Sequence, residues 1–235
     1  MVWAGAAAVF LIWRPLHDGI MRYGLLLAMV LVWAGLLIVL WPARWWRFTS
    51  LALPLLLLLP LLMPGKPLDR ERLRKDYLLG MRAFKGSSYV WGGESGRGID
   101  CSGLPRRALR DALMKQAVKG NAKAARLWME QWWFDTSARA MMEGYRGFTR
   151  PVGITGTLPG IDLGKIEEGD LAVTGDGRHV LIYLGGGEWI QADPGPGRVI
   201  IAKPGVDDNP WFNSYVSIHR WCLLDDSPEA YSGHR

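Results

Sequence analysis

A lone cysteine, Cys101, stands in the run GRGIDCSGL between an aspartate and a Ser-Gly pair, one of two cysteines in 235 residues. A cysteine attacks as its thiolate, and a free thiol with a pKa of about 8.5 is mostly protonated at neutral pH. Two devices would lower that value here: the positive end of a helix opening at Cys101, and a neighbouring imidazole. Gly98 and Gly103 let backbone and substrate come close. A packed, inert cysteine is the competing reading.

The chain has four histidines. His17 and His234 fall in an apolar N-terminal segment and in the tail, and His219, in VSIHRW, reads as a surface or structural strand residue. His179 opens a strand directly after the loop GDGRH, where a side chain can look into a cleft, so it is the candidate base. If GGG at 185–187 is a hairpin turn, Leu184 faces Glu188 and Leu181 faces Gln191. Gln191 is then a diagonal neighbour of His179, about 7–8 Å away and within reach of a long side chain. Its carbonyl oxygen could accept the Nδ1 hydrogen, fix the tautomer and leave Nε2 facing the thiol. The result is a Cys-His-amide arrangement; the competing reading makes Gln191 an ordinary polar strand residue.

Other chemistries find less support. There is no HxxxH or CxxC pair for a metal, so none is expected. GGESGRG lacks the Lys-Ser/Thr of a phosphate loop and reads as the loop feeding Cys101. The formal charge of +6 suits an anionic membrane face or polymer. RRALRDALMK is basic, but without a reading motif it is expected to be a solvated helix face, and no nucleic-acid partner is expected.

Several elements must position these residues. Leu73, Tyr77, Leu78, Met81 and Phe84 recur at helical spacing over Asp69–Phe84. CSGLPRRALRDALMKQAVKG reads as a second helix with Leu104, Ala108, Ala112 and Leu113 inward; Pro105 is tolerable in its first turn. NAKAARLWMEQWWFDTSARAMMEGY gives one or two more helices, with Trp128, Met129 and Trp132 as core. TRPVGITGTLPGIDLGKIEEGD reads as turns. The strands LAVT, HVLIYL, EWIQA, RVIIA and VSIHRWCLL follow as an antiparallel meander, which makes the domain α+β.

The first 65 residues belong to another solvent. They hold one acid, Asp18, and four basic residues, Arg14, Arg22, Arg44 and Arg47, with six of the thirteen tryptophans. Spans are expected at about 23–43 and 48–65, with 2–13 as a candidate short third. The second contains Pro54 and Pro60 and is expected to be kinked. The arginines of WPARWWR argue for a cytoplasmic loop, which puts the domain after Gly65 outside. The five basic residues of KPLDRERLRKD argue the opposite by the same rule.

YVWGGESGRGIDCSGL, GDLAV and HVLIYLGGGEWIQA, in that order, resemble the three signature blocks of the NlpC/P60 cysteine peptidases of bacterial cell walls, over roughly Leu78 to Cys222. The resemblance implies a papain-like α+β domain at 66–225, here preceded by two or three transmembrane helices and followed by a flexible tail at 226–235. It implies Cys101 as nucleophile, His179 as base and Gln191 as third member, commonly a histidine in this family. Tyr89, Asp100, Ser102 and Trp91 would line the substrate site, and the Cys101 backbone N–H would serve an oxyanion hole. The implied reaction is hydrolysis of an amide in peptidoglycan stem peptides, typically between γ-D-glutamyl and a diamino acid, with no cofactor. The implied partners are the peptidoglycan peptide and a lipid bilayer, with the domain on the outer face of the cytoplasmic membrane and a protein partner left unknown. Pro105 and Arg106 depart from the small aliphatic residues usual there. The segment 114–153 is longer than the family norm and falls where cleft walls are built. The alternatives are a thiol amidase or acyltransferase on another substrate, and an inactive membrane-tethered scaffold. Two free thiols are expected.

Overall fold

The computed structural model describes residues 2–14, 16 and 18–225. His17 and the expected tail at 226–235, with His234, lie outside the described residues. Three helices open the chain: α1 Val2–Trp13, α2 Gly19–Leu40 and α3 Arg44–Leu62. The Asp18 carboxylate accepts the Met21 N–H at 2.8 Å, so this cap starts α2 four residues ahead of the expected span. Among the described helices, α2 alone is long and apolar enough to cross a bilayer; α1, at 12 residues, is apolar but short. The α3 helix runs through Pro54 and Pro60, with Arg44 and Arg47 in its first turn. Of the two or three spans expected, α2 alone qualifies among the described helices.

The helix expected at Asp69–Phe84 is α4, Arg70–Ala83. Asp69 caps it by accepting the Arg72 N–H at 3.0 Å, and Leu73, Tyr77 and Met81 are buried at helical spacing. A short hairpin, β1 Glu94–Ser95 and β2 Gly98–Ile99, leads into α5, Gly103–Ala117. Leu104, Ala108, Ala112 and Leu113 of α5 are fully buried against the core, as their spacing requires. Then come α6 Ala122–Trp133 and α7 Ala138–Met142.

One antiparallel sheet completes the domain: β3 Thr149–Gly156, β4 Leu171–Thr174, β5 Val180–Gly185, β6 Glu188–Asp193, β7 Arg198–Ala202 and β8 Val216–Trp221, in the order β3-β8-β4-β5-β6-β7. From β4 to β7 it is the expected meander, but β8 inserts between β4 and β3. The β3 strand corrects the reading of TRPVGITG as turns. Pro151 is admissible because β3 is an edge strand, and its register shifts between Pro151 and Thr155. Alternation divides the sheet: Val173, Ile182 and Trp221 face α4 and α5, while Leu181, Trp189 and Ile218 form a second cluster on the other face. The Trp221 Nε1–H donates to Tyr77 Oη at 3.0 Å, tying β8 to α4.

Two expectations fail in the helical layer and a third is extended. Arg106 and Arg110 are not on a solvated face; each is 4% exposed, and both pair with Glu94, itself buried in β1. Met129 is 43% exposed and Trp132 only partly buried, whereas Trp128 packs against the core as expected, its ring stacked on Trp132 with centroids 6.5 Å apart. The 114–153 segment does more than wall a cleft, because α6 packs on α5 and on α3. Arg126 donates to the Leu61 and Met63 carbonyls at 2.8 Å each, and Arg22 of α2 donates to the Trp132 carbonyl at 3.1 Å. The Arg126 bonds hold α3 against α6 through the carbonyls at its end, and the Arg22 bond ties α2 to α6.

Candidate active site

Asp100 organises the turn that carries Cys101. Its Oδ2 accepts the Gly92 N–H at 2.8 Å, and its Oδ1 accepts the Ser102 hydroxyl at 3.1 Å and the Gly103 N–H at 2.5 Å. The Leu104 N–H donates to the Asp100 carbonyl at 3.0 Å, so the turn winds into α5, and Cys101 lies two residues before the helix rather than at its opening. Gly103 is needed for close approach: a Cβ there would collide with the Gly93 carbonyl oxygen.

Cys101 Sγ donates to the Arg178 carbonyl at 3.7 Å, and the N–H groups of Val180 and Ser102 also approach it. The thiol therefore sits against the backbone on both sides of His179. It is 6% exposed. Its pKa is not lowered as expected but pushed up to about 12, first by burial and then by the Asp100 carboxylate; the N–H groups and Arg106 offset only part. The first N–H of α5, that of Gly103, is taken by the Asp100 carboxylate.

His179 immediately precedes β5, and Gln191 lies in β6. Ile182 pairs with Ile190 and Tyr183 with Trp189, which continues to place Leu181 opposite Gln191. A register shift beyond Tyr183 pairs Gly185, not Leu184, with Glu188. The diagonal contact forms: His179 Nε2 lies 2.5 Å from Gln191 Oε1. The nitrogen is the other one from that expected. Because an amide oxygen only accepts, Nε2 carries the hydrogen and Nδ1 is the basic nitrogen. Burial pushes the His179 pKa below its ordinary value, although the Gln191 contact and Asp193 act the other way. Thiol and imidazole are thus both neutral at pH 7.

Sequence reading missed Trp211. Its ring stacks on His179 at 4.0 Å between centroids and 15° between planes. Asp193 holds it there, accepting the Trp211 Nε1–H at 3.3 Å and the Asn209 amide at 2.7 Å. The cue in sequence is the Asn-Pro-Trp turn at 209–211, which says nothing about what the ring meets. His219 is a structural strand residue rather than a surface one: it is buried in β8, with Nε2 2.8 Å from Ser217 Oγ.

The structure brings Cys101, His179, Gln191 and Tyr89 together. Burial and then the neighbouring Cys101 and Asp100 push the Tyr89 pKa up to about 12. Asp100 and Ser102 are buried and spend their polar atoms on the turn. Trp91 is 77% exposed on the turn before Gly93. Both cysteines are free. Among the described residues, no cluster of three or more His, Cys, Asp or Glu could hold a metal.

Solved structures similar to this chain include these three. The P60 domain of an antigen from M. avium subspecies paratuberculosis is 20% identical, with 67% of this chain and 99% of that one covered and a TM-score of 0.40. The peptidoglycan hydrolase RipB from Mycobacterium tuberculosis is 20% identical, with 63% and 65% covered and a TM-score of 0.39. An NlpC/P60 family protein from Bacillus cereus is 20% identical, with 67% and 41% covered and a TM-score of 0.39. The chain spans less than two thirds of the length of the last two. No curated protein matches it. The NlpC/P60 sequence pattern runs through both sides of the site, from residue 86 to residue 220, and since that is more than half of the chain, the protein belongs to the NlpC/P60 family.

Proposed function

We propose that the protein is a membrane-anchored cysteine hydrolase that cleaves an amide bond in peptidoglycan stem peptides, of the γ-D-glutamyl-diamino acid type. Cys101 is the nucleophile, His179 the base and Gln191 the residue that orients the base. The observation that carries this reading is the 2.5 Å contact of Gln191 Oε1 with His179 Nε2, in a residue whose preceding carbonyl, that of Arg178, meets the Cys101 sulfur at 3.7 Å.

In the resting protein the S–H rests on the Arg178 carbonyl. When substrate enters, the thiol turns from that carbonyl and His179 Nδ1 takes its proton as sulfur attacks the amide carbon. Among the described residues no group accepts the Cys101 backbone N–H, which leaves it free to stabilise the developing oxyanion. His179 then gives the proton from Nδ1 to the leaving amine, and a thioester remains. A water deprotonated by the same nitrogen attacks the thioester, releases the carboxylic acid and returns the thiol. Tyr89 lines the substrate site beside the sulfur, and Trp91 is placed to meet the substrate from the exposed turn.

The anchor is α2, which would keep the enzyme at the outer face of the cytoplasmic membrane near the wall. Burial of Cys101 favours one second reading, an inactive tethered scaffold. The full chain in detergent, incubated with purified muropeptides beside Cys101→Ala and read by chromatography and mass spectrometry, separates the two. New fragments that vanish in the variant support the hydrolase and name the bond; none from a folded wild-type protein overturns it.

A further inference from the structure

Between the N-terminal helices and the domain lies a cavity of about 410 Å³ that includes no member of the Cys101 site. One wall is apolar, from Leu16, Met21 and Leu25; the other carries α5, β1 and the rings of Trp128 and Trp132. Four guanidinium groups line it, Arg14, Arg22, Arg107 and Arg110, against two carboxylates, Glu94 and Asp111.

Those carboxylates are shared or already engaged. Glu94 serves both Arg106 and Arg110, and Asp111 is held by Arg107 at 2.9 Å. Arg22 reaches Asp135 only at 4.0 Å, and Asp135 also pairs with Arg106. Arg22 and Arg110 are buried while Arg14 and Arg107 stand at the mouth, so the positive charge in excess of Glu94 and Asp111 is partly desolvated, and an entering anion offsets its cost. Arginine forks match phosphate oxygens in pairs. Arg14 and Arg22 flank the start of α2 on either side of its cap Asp18, the level at which headgroups would lie if α2 spans.

We infer that this cavity binds the phosphate of a membrane amphiphile, an anionic phospholipid headgroup seated among Arg14, Arg22, Arg107 and Arg110. The inference rests on the membrane anchoring proposed above, and the first step of the test isolates that reading. If the full chain leaves membranes on alkaline carbonate washing, anchoring fails and the lipid site fails with it. If it stays, the chain is purified in a nonionic detergent and examined by native mass spectrometry with equal phosphatidylglycerol and phosphatidylcholine, and separately with inorganic phosphate.

One phosphatidylglycerol per chain is expected, preferred over phosphatidylcholine by about tenfold or more and weakened by a similar factor in Arg14→Gln/Arg107→Gln. Both substituted side chains lie toward the surface, and unchanged circular dichroism melting verifies folding. No effect of millimolar phosphate identifies the lipid as the source; displacement by phosphate supports the same site and shows that free phosphate also enters it. Equal retention of the two lipids by the wild-type chain, or undiminished retention by the folded double variant, overturns the inference.

Discussion

Gln191 Oε1 faces Nε2 of His179 at 2.5 Å, and the base is therefore Nδ1. A carboxylate in place of that amide would favour the imidazolium. Gln191→Glu is expected to move the acidic limb of the kcat/KM profile up by about one unit or more. Gln191→Leu removes the orienting acceptor and is expected to lower kcat by about 100-fold with little change in KM. A pH–rate profile of each variant on muropeptides checks both; an unmoved limb in the first would separate Gln191 from the base.

The thiol of Cys101, with its pKa pushed up to about 12 from 9.0, should be sluggish at rest. At pH 7.5 its thiolate fraction is about 1,000-fold below that of an unperturbed thiol, and iodoacetamide should modify it correspondingly slowly. Cys222 is less buried and should react first. Site-resolved mass spectrometry over time reads the order, and rapid modification of Cys101 would contradict the neutral resting pair.

Stability should fall at both ends of the pH scale. Burial lowers the pKa of His179 and of His219, so the unfolded chain takes up protons near pH 6.5 that the folded chain resists. Their contribution is full above about 6.5 and is lost as pH drops below it. At the alkaline end Cys101 and Tyr89, both pushed up to about 12, contribute below about pH 9 and lose that contribution as pH rises toward 12. Melting temperatures from pH 5 to pH 11 trace both limbs; Cys101→Ser should flatten the alkaline one and His219→Gln the acid one.

Glu94 and Glu188 are both salt-bridged but should differ sharply. Glu94 is 3% exposed between two buried arginines, and Glu94→Gln should cost about 3–5 kcal/mol because it strands buried cations. Glu188 pairs with Arg82 at 3.2 Å on the surface, and Glu188→Gln should cost less than about 1 kcal/mol. Thermal melts of the two variants in the same detergent give the comparison directly.

Gly103→Ala tests the turn beneath the nucleophile. A Cβ there meets the Gly93 carbonyl, so the loop or the helix must shift, at a cost of about 1–3 kcal/mol. The shift displaces Cys101, and kcat should fall even at temperatures where the variant remains folded. Retained kcat in the folded variant would mean that the turn does not set the position of the sulfur.

Local pattern carried much of this protein. Helical spacing in α4 and α5, the Asp-Cys-Ser-Gly turn, and the period-two strands around the 185–187 turn are each written within a few residues of chain. The hairpin register followed from the position of the turn, and with it the meeting of His179 and Gln191. What failed depended on partners distant in sequence. Arg106 and Arg110 look solvated until Glu94 is packed against them, and β3 looks like turns until β8 pairs with it. Trp211 gives no local sign that Asp193 will hold it on His179.

The choice of imidazole nitrogen and the charge on Cys101 likewise escaped the sequence. Residue types can say that a thiol stands near a helix start and a base. Whether the thiolate is favoured depends on burial and on which anion occupies that helix end. Here a buried sulfur beside Asp100 decides for the neutral thiol. Sequence alone therefore determined the local meetings, such as that of His179 with Gln191, through periodicity and turn chemistry. Only the tertiary structure decided their protonation and their orientation, because desolvation and long-range contacts exist only once the chain has packed.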